Sequence, residues 1–494
     1  MDCLLGVDVG TSSTKGALVS LSGELIATAV EEHQVSMPRP GWAEQDPCAV
    51  WWSDTVRVCR RLLSVAPGPV VALAPSGIGP VVAVADENGR PLRPAILYGI
   101  DTRATAEIEQ LNRQLSVQAI VERSGTVLTS QATGPKFRWL ANHEPELYQR
   151  ARKTFMASSF LVWQLTGEYV LDHHSASQSV PLYDRTSRNW ADDWFETVAP
   201  HIESPRLAWP AEVVGHVTER AAAETGLQVG TPVCCGTIDA WSEAVSVGAD
   251  RPGRTMLMYG STMFIVATAD LPMSDSRLWG TVGTWPGTWC LAAGMATSGS
   301  LAGWFKELAG GVGYEELATG AESVPAGSRG LVTLPYFAGE RTPIFDPDAR
   351  GLIAGLTLRH GRAEIYRSIL EATAYGVRHN LEVMAEAGAD LSYLVAVGGG
   401  TTGGLWTRIV SDVTGRSQMV RRHAIGAAFG DARLAGIGIG RVDPESEWNS
   451  GGSVTMPEMR NRSLYDELYG VYRSLYEATL PQAHALARLQ QAVE

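Results

Sequence analysis

The stretch LLGVDVGTSSTKGALVS, Leu4 to Ser20, constrains what this chain can fold into more than any other. An apolar run ends in Asp8 and a small-residue turn, Gly10, Thr11, Ser12 and Ser13, and strand-like sequence resumes at Lys15. Small hydroxyl residues and a lysine after a buried strand suit a phosphate. The G-x-x-x-x-G-K-S/T spacing of a Walker loop is absent. GELIATAVEEHQV continues the strand pattern, so residues 3–35 read as an antiparallel hairpin series. Walker and Rossmann loops need a helix N-terminus directly after their glycines, and this pattern predicts none. A phosphate bound here has to be gripped by turn N–H groups and hydroxyls.

The same plan recurs. TMLMYGSTMFIVATA carries the turn Gly260, Ser261, Thr262 between two apolar runs, and YLVAVGGGTTGG carries Gly398, Gly399, Gly400, Thr401 and Thr402 after a third. The first two stretches form a weak internal repeat in plan, with little residue identity. A chain of 494 residues is expected to hold two or more domains. The Gly/Pro/charged junction Gly248 to Met256 divides it into 1–249 and 250–494. Between the first two turns lies GTIDAW, where Asp239 ends an apolar strand at a helix start. An aspartate there is either a helix N-cap or a carboxylate aimed into the cleft between the halves as a base, and position alone leaves both open.

Other features bound the function class. A net charge of −13 argues against general nucleic-acid binding. The N-terminus lacks the basic region of a signal peptide, and the most apolar stretch, PVVALAPSGIGPVVAVAD, is broken by Pro and Gly and too short to span a bilayer. Six scattered cysteines form no disulfide framework, and Cys234 and Cys235 read as buried apolar residues. A cytoplasmic protein with no membrane partner is expected. RATAEIEQLNRQLSVQAIVERSG reads as one helix. In the C-terminal tail, Leu464, Leu468, Val471 and Leu475 form one helical face that reads as packing. Trp42, Trp51, Trp52 and Trp139 each read as core, and His143, His379 and His423 show no metal-ligand spacing.

The ordered motifs resemble the FGGY carbohydrate kinases of the sugar kinase/heat-shock ATPase/actin superfamily. GVDVGTSSTKGAL is similar to that family's first phosphate loop, PGWAEQDPCAVWW to its GWxEQDPxxWW stretch, and GPKFRWLANHEP to its first signature, with Lys136 and Trp139. LPYFAGERTPIFDPDARG resembles its GERTPxxDPxARG segment, and VAVGGGTTGGLWTRIVSDVTG its adenosine loop and second signature. The resemblance spans nearly the whole chain. It implies an α/β fold of two actin-like (ribonuclease H-like) domains, mixed sheets flanked by helices around a deep cleft. Sugar would bind mainly to the first domain and ATP mainly to the second. By position, Asp239 would be the general base, and Asp8 with Asp239 would hold Mg²⁺ by the phosphates. Thr11, Ser12, Ser13 and Lys15 would line the terminal phosphates, with Gly260, Ser261 and Thr262 opposite. Gly299, Gly399, Gly400 and Thr401 would wrap the adenosine.

The sugar side departs from the family pattern. SGIGPVV puts Gly79 and Pro80 where relatives carry polar ligands, and ILWxDxR reads ILYGIDTR, leaving Asp101 and Arg103 as either sugar ligands or a surface pair. Ala240 follows the base where relatives have Asn or Gln, Arg408 replaces a common Gln, and Gln131 aligns toward the sugar. With both aspartates retained, these changes read as an altered substrate pocket. Each sugar hydroxyl left unpaired in a closed site costs about 1–3 kcal/mol, so the pocket should discriminate strongly. The expectation is an ATP-dependent kinase for a small sugar or polyol, with a ketopentose such as D-xylulose as its substrate. The rival is a nucleotide- and sugar-binding regulator without turnover, whose mark would be a lost Asp8 or Asp239. A homodimer is left open. A chaperone-type ATPase would need a peptide-binding domain, and the tail is too short for one.

Overall fold

The computed structural model describes residues 1–421 and 426–491. It has the expected two-domain α/β architecture, with a mixed sheet in each half. In the first sheet, Cys3–Val9 pairs antiparallel with Ser13–Ser20 and parallel with Val70–Gly77. Leu25–Glu32 extends one edge, and Pro232–Cys234 and Val213–His216 extend the other. The second sheet repeats the plan. Arg254–Tyr259 pairs antiparallel with Met263–Ala269 and parallel with Tyr393–Val397. The faint sequence repeat is therefore a repeat of topology: a hairpin with a parallel strand beside its first arm.

Period-2 alternation along these strands sorts their residues onto two faces. In the first hairpin, Gly16 lies opposite Val7 and turns toward the helix Ser53–Leu63; a Cβ on Gly16 would meet Val58 at 2.3 Å. Gly6 lies opposite Ala17 on the other face, where Leu4, Ala17 and Val19 pack with Ala428, Phe429 and Ala432. Those partners come from the helix Ala427–Gly438, far along the chain. Its small residues let it press onto the sheet so closely that a Cβ on Gly6 would lie 1.8 Å from the Ala428 carbonyl oxygen. Residues 427–438, from the second half of the chain, thus cover the first sheet.

The second sheet is covered on one face by the helices Arg362–Glu386 and Leu405–Thr414. On its other face, Met256, Val266, Cys290 and Val395 join the first domain's core together with Trp241, Val247 and Ala249. The two halves thus share one continuous apolar interior.

Two local expectations change. The helix predicted after Arg103 is two helices, Thr105–Leu115 and Val117–Ser124, because Ser116 takes a left-handed φ of 67° and turns the chain. In the terminal helix Arg462–Gln491 the packing stripe is aromatic. Tyr465, Tyr469 and Tyr472 are buried, and the Tyr472 hydroxyl lies 2.8 Å from that of Tyr336. Leu468 and Leu475 pack at the margin of this stripe, whereas Leu464 and Val471 are 40% and 41% exposed. Trp51, Trp52 and Trp139 are buried as expected, as are all the cysteines except Cys48. Among the described residues no helix is long and apolar enough to cross a membrane.

Two glycines give opposite expectations. Gly6→Ala drives a methyl group into the Ala428 carbonyl and should cost about 3 kcal/mol of unfolding free energy. Gly470→Ala, on an exposed helical position with nothing within 4 Å, should gain up to about 1 kcal/mol. Urea unfolding of both variants checks the pair.

Candidate active site

The first turn is held from behind. Gly10 N–H donates to the Ser13 carbonyl (2.9 Å), and Gln45 Nε2 donates to the Thr11 carbonyl (2.8 Å). His33 Nε2 lies 3.0 Å from the Gly10 carbonyl, with its Nδ1 2.8 Å from Asp54. The Thr11 hydroxyl lies 2.9 Å from that of Tyr98. Ser12 and Lys15 stay exposed, free to face a ligand.

The other turns meet at the end of the second domain's first hairpin. The Ser261 carbonyl accepts N–H bonds from Ser298 and Ser300, both 3.0 Å, and the Gly260 carbonyl accepts from Gly299, also 3.0 Å. A Cβ on Gly299 would lie 2.6 Å from the Gly260 carbonyl oxygen, and one on Gly398 equally close to that of Tyr259, so only glycine permits these approaches. Gly399 has nothing within 4 Å of such an atom, so the face of the third turn is open. Gly260–Thr262, Gly299 and Gly399–Thr401 thus form one neighbourhood.

Asp239 opens the helix Asp239–Ser246, directly after Thr237–Ile238, which pairs with Ser76–Gly77. One carboxylate oxygen accepts the Ala240 N–H at 2.7 Å. The side chain also lines a cavity of about 140 Å³. The helix-end role and the cleft-facing role are therefore compatible. The cavity is built by both halves: Pro80, Tyr98, Gln131 and Asp239 come from the first, Thr262 and Arg341 from the second.

The electrostatics around Asp239 are unusual. Burial raises its carboxyl to about 8, and the charge of Asp8 adds to the rise. Burial likewise lifts Asp8 to about 6, with Lys15 pulling it back, and Glu243 to about 7. A fourth carboxylate, Asp431, is fully buried and raised well above its ordinary value, first by burial and then by Asp8. It accepts hydrogen bonds from Ser76 and Ser242, both at 2.6 Å. The Ser76 hydroxyl is also 3.2 Å from Asp8, and Ser242 lies on the Asp239 helix. Asp431 belongs to the returning helix, where it is the only carboxylate in the small-residue run GAAFGDARLAG.

Gly79, Pro80 and Gln131 line the cavity as expected. Lys136 holds that region in place: its Nζ donates to the Ser130 carbonyl at 2.7 Å, and burial lowers its ammonium to about 7. Asp101 and Arg103 do not line the cavity. Asp101 accepts the Ala43 N–H (2.7 Å) and pairs with Arg103 (2.7 Å). Arg103 also reaches Glu44 at 2.9 Å and lies over the Trp42 ring at 3.9 Å. Both side chains are buried in this pair. Arg408 pairs with Glu322 in an exposed position. An aromatic wall was not foreseen: Trp241 packs edge-on to Phe264, which stacks with Trp279, and all three line the cavity. His379 is buried and His143 stacks on Trp139, while His423 lies outside the described residues. Among the described residues no group of three His, Cys, Asp or Glu side chains is arranged to hold a metal by itself.

The N-terminal domain of the "FGGY family of carbohydrate kinases" matches residues 3–246, and the C-terminal domain of that family matches 255–439. The chain belongs to this family. This FGGY kinase is 29% identical to a xylulose kinase of Escherichia coli (strain K12), over 97% of its own length and 99% of that protein's. It superposes on the crystal structure of xylulose kinase from Rhodospirillum rubrum with a TM-score of 0.89 at 32% identity, covering 98% and 100% of the two chains. A gluconokinase of Bacillus subtilis (strain 168) is 25% identical over 89% of this chain and 88% of that protein. The family is one of carbohydrate kinases, and in this member Asp239 lines a cavity built by both halves.

The raised carboxyls give a pH test. A solvated aspartate titrates at about 4, so between about pH 4 and 8 the folded chain keeps a proton on Asp239 that the unfolded chain has lost. Stability from this group therefore falls as pH rises through that window. Urea unfolding at about pH 6.5 and 8.5 should show wild type losing stability relative to Asp239→Asn, which carries no titrating group there. A relative gain by wild type would contradict the assignment.

Proposed function

We propose that this kinase transfers the terminal phosphoryl group of Mg-ATP to a hydroxyl of a ketopentose such as D-xylulose. The observation that carries the reading is Asp239, which lines a cavity between the halves together with Thr262 of the second turn and Tyr98, whose hydroxyl meets Thr11 of the first. Relatives named xylulose kinases that match from end to end support the substrate.

The residues present fit a magnesium ion. Asp8 and Asp239 offer hard carboxylate oxygens, and Lys15 is the cation that acts on both and on Glu243. Asp8 and Asp239 would hold the ion, which when bound neutralises charge on the phosphate oxygens. Thr11, Ser12, Ser13 and Lys15 hold the terminal phosphates from one side and Gly260, Ser261 and Thr262 from the other. Gly299, Gly399, Gly400 and Thr401 hold the adenosine end. Asp239 would favour its ionised form beside a bound cation, and the carboxylate then takes the proton from the attacking hydroxyl, a contribution of about 10²–10⁴-fold. Burial of the cavity between the halves excludes the water that would otherwise accept the phosphoryl group.

On the sugar side Gly79, Pro80 and Ala240 present carbon, and hydroxyl contacts fall to Tyr98, Gln131 and Gln178. The test is ADP release from purified protein with ATP against pentuloses, hexuloses, polyols and gluconate. Turnover is expected with a ketopentose, falling about 10²–10⁴-fold in Asp239→Ala. Binding of sugar and nucleotide without turnover, or an unimpaired Asp239→Ala, would overturn the reading.

A further inference from the structure

Arg341 stands apart from the chain's other enclosed arginines. Arg103 and Arg367 are buried and each pairs with a carboxylate. Arg341 is half-buried, lines the same cavity as Asp239, and its guanidinium makes no hydrogen bond or ion pair among the described residues. A partly desolvated cation without a partner is unfavourable unless an anion arrives to meet it.

Its backbone is fixed. The buried Glu340 carboxylate accepts the N–H groups of Ala296 and Arg341, both at 2.7 Å. Thr342 Oγ1 accepts the Gly294 N–H (2.7 Å) and donates to Asn380 Oδ1 (2.8 Å). The segment is thus tied to the end of the strand Trp289–Met295, and the arginine is carried by the second domain.

Its place in the cavity is marked by Tyr98. The charges of Asp239 and Arg341 both act on the Tyr98 hydroxyl, which lies 2.9 Å from Thr11 in the first phosphate turn. Arg341 therefore lines the cavity together with Asp239 and close to Tyr98, which meets the first turn, and it is supplied from the other half of the protein. A planar guanidinium matches phosphate oxygens in bidentate fashion.

We propose that Arg341 is a catalytic residue that clamps the phosphoryl group in transit. The inference rests on the kinase reading with Asp239 as base. In the step, the bond between the sugar oxygen and the γ-phosphorus forms as the bond from that phosphorus to the β,γ-bridging oxygen breaks. The hydroxyl proton passes to Asp239 and ADP leaves. Arg341 keeps its protons and binds the equatorial oxygens, whose charge is best met by a fixed cation. Because Arg341 and Asp239 come from different halves, both reach the phosphoryl group only with the halves arranged around the cavity.

The test is steady-state kinetics of Arg341→Ala and Arg341→Lys, with the best substrate from the sugar panel, beside thermal unfolding of each variant. Arg341→Ala should lose about 10³-fold in kcat with KM for sugar and ATP nearly unchanged, and added guanidinium ion should restore part of the loss. Arg341→Lys should keep the unfolding midpoint yet remain well below wild type, since one ammonium cannot reproduce the fork. If Arg341→Ala folds poorly, the Lys variant decides alone: full kcat overturns the proposal. A raised sugar KM with unchanged kcat would make Arg341 a sugar ligand and also overturn it. A wild-type protein that turns over no sugar overturns the kinase reading, and this role with it; wild-type turnover with an unimpaired Arg341→Ala overturns this role alone.

Discussion

Four carboxylates, Asp8, Asp239, Glu243 and Asp431, are buried together near one lysine, and much of the structure exists to hold them there. Burial in a low-dielectric site lifts every one of them, and the charge of Asp8 adds to the rise of the other three. The cluster persists because each member is fixed by a rigid element. Asp8 ends a central strand, Asp239 and Glu243 share a helix, and Asp431 is pressed in by a helix that returns from the far end of the chain. Ser76 and Ser242 tie Asp431 to the other two elements. In the proposed function this cluster is where a cation and the phosphates that accompany it would meet.

The duplicated hairpin sets the geometry of that encounter. Each half ends a strand in a small-residue turn, and the halves share an apolar interior, so the two turns belong to one site. The first turn runs from strand to strand, with Gln45, His33 and Tyr98 bracing the loop from behind.

What was legible in the sequence was local. The turns, the strand before each, and Asp239 at a strand end and helix start are contiguous patterns, and they stand where those patterns placed them. What was not legible depended on distance along the chain. Asp431 meets Ser76 and Ser242 at separations of 355 and 189 residues, and nothing in its own neighbourhood announces them. Asp101 and Arg103 misled because nearness in sequence does not say which way side chains point. Arg103 finds Glu44 and the Trp42 ring, and the pair turns inward. The tail's leucines misled for a related reason: four tyrosines, Tyr465, Tyr469, Tyr472 and Tyr476, run along an adjacent stripe and take most of the buried contact.

The central claim is that sugar and nucleotide occupy one cleft whose two sides act together. Calorimetric titration of a non-hydrolysable Mg-nucleotide, with and without the sugar that the enzyme phosphorylates, tests it directly. Coupling between sites of this kind is about 1–3 kcal/mol and is reciprocal. The account predicts nucleotide affinity about 5- to 150-fold tighter with sugar present, and the same factor for sugar when nucleotide is present. Equal affinities in both titrations would contradict a shared, closing cleft.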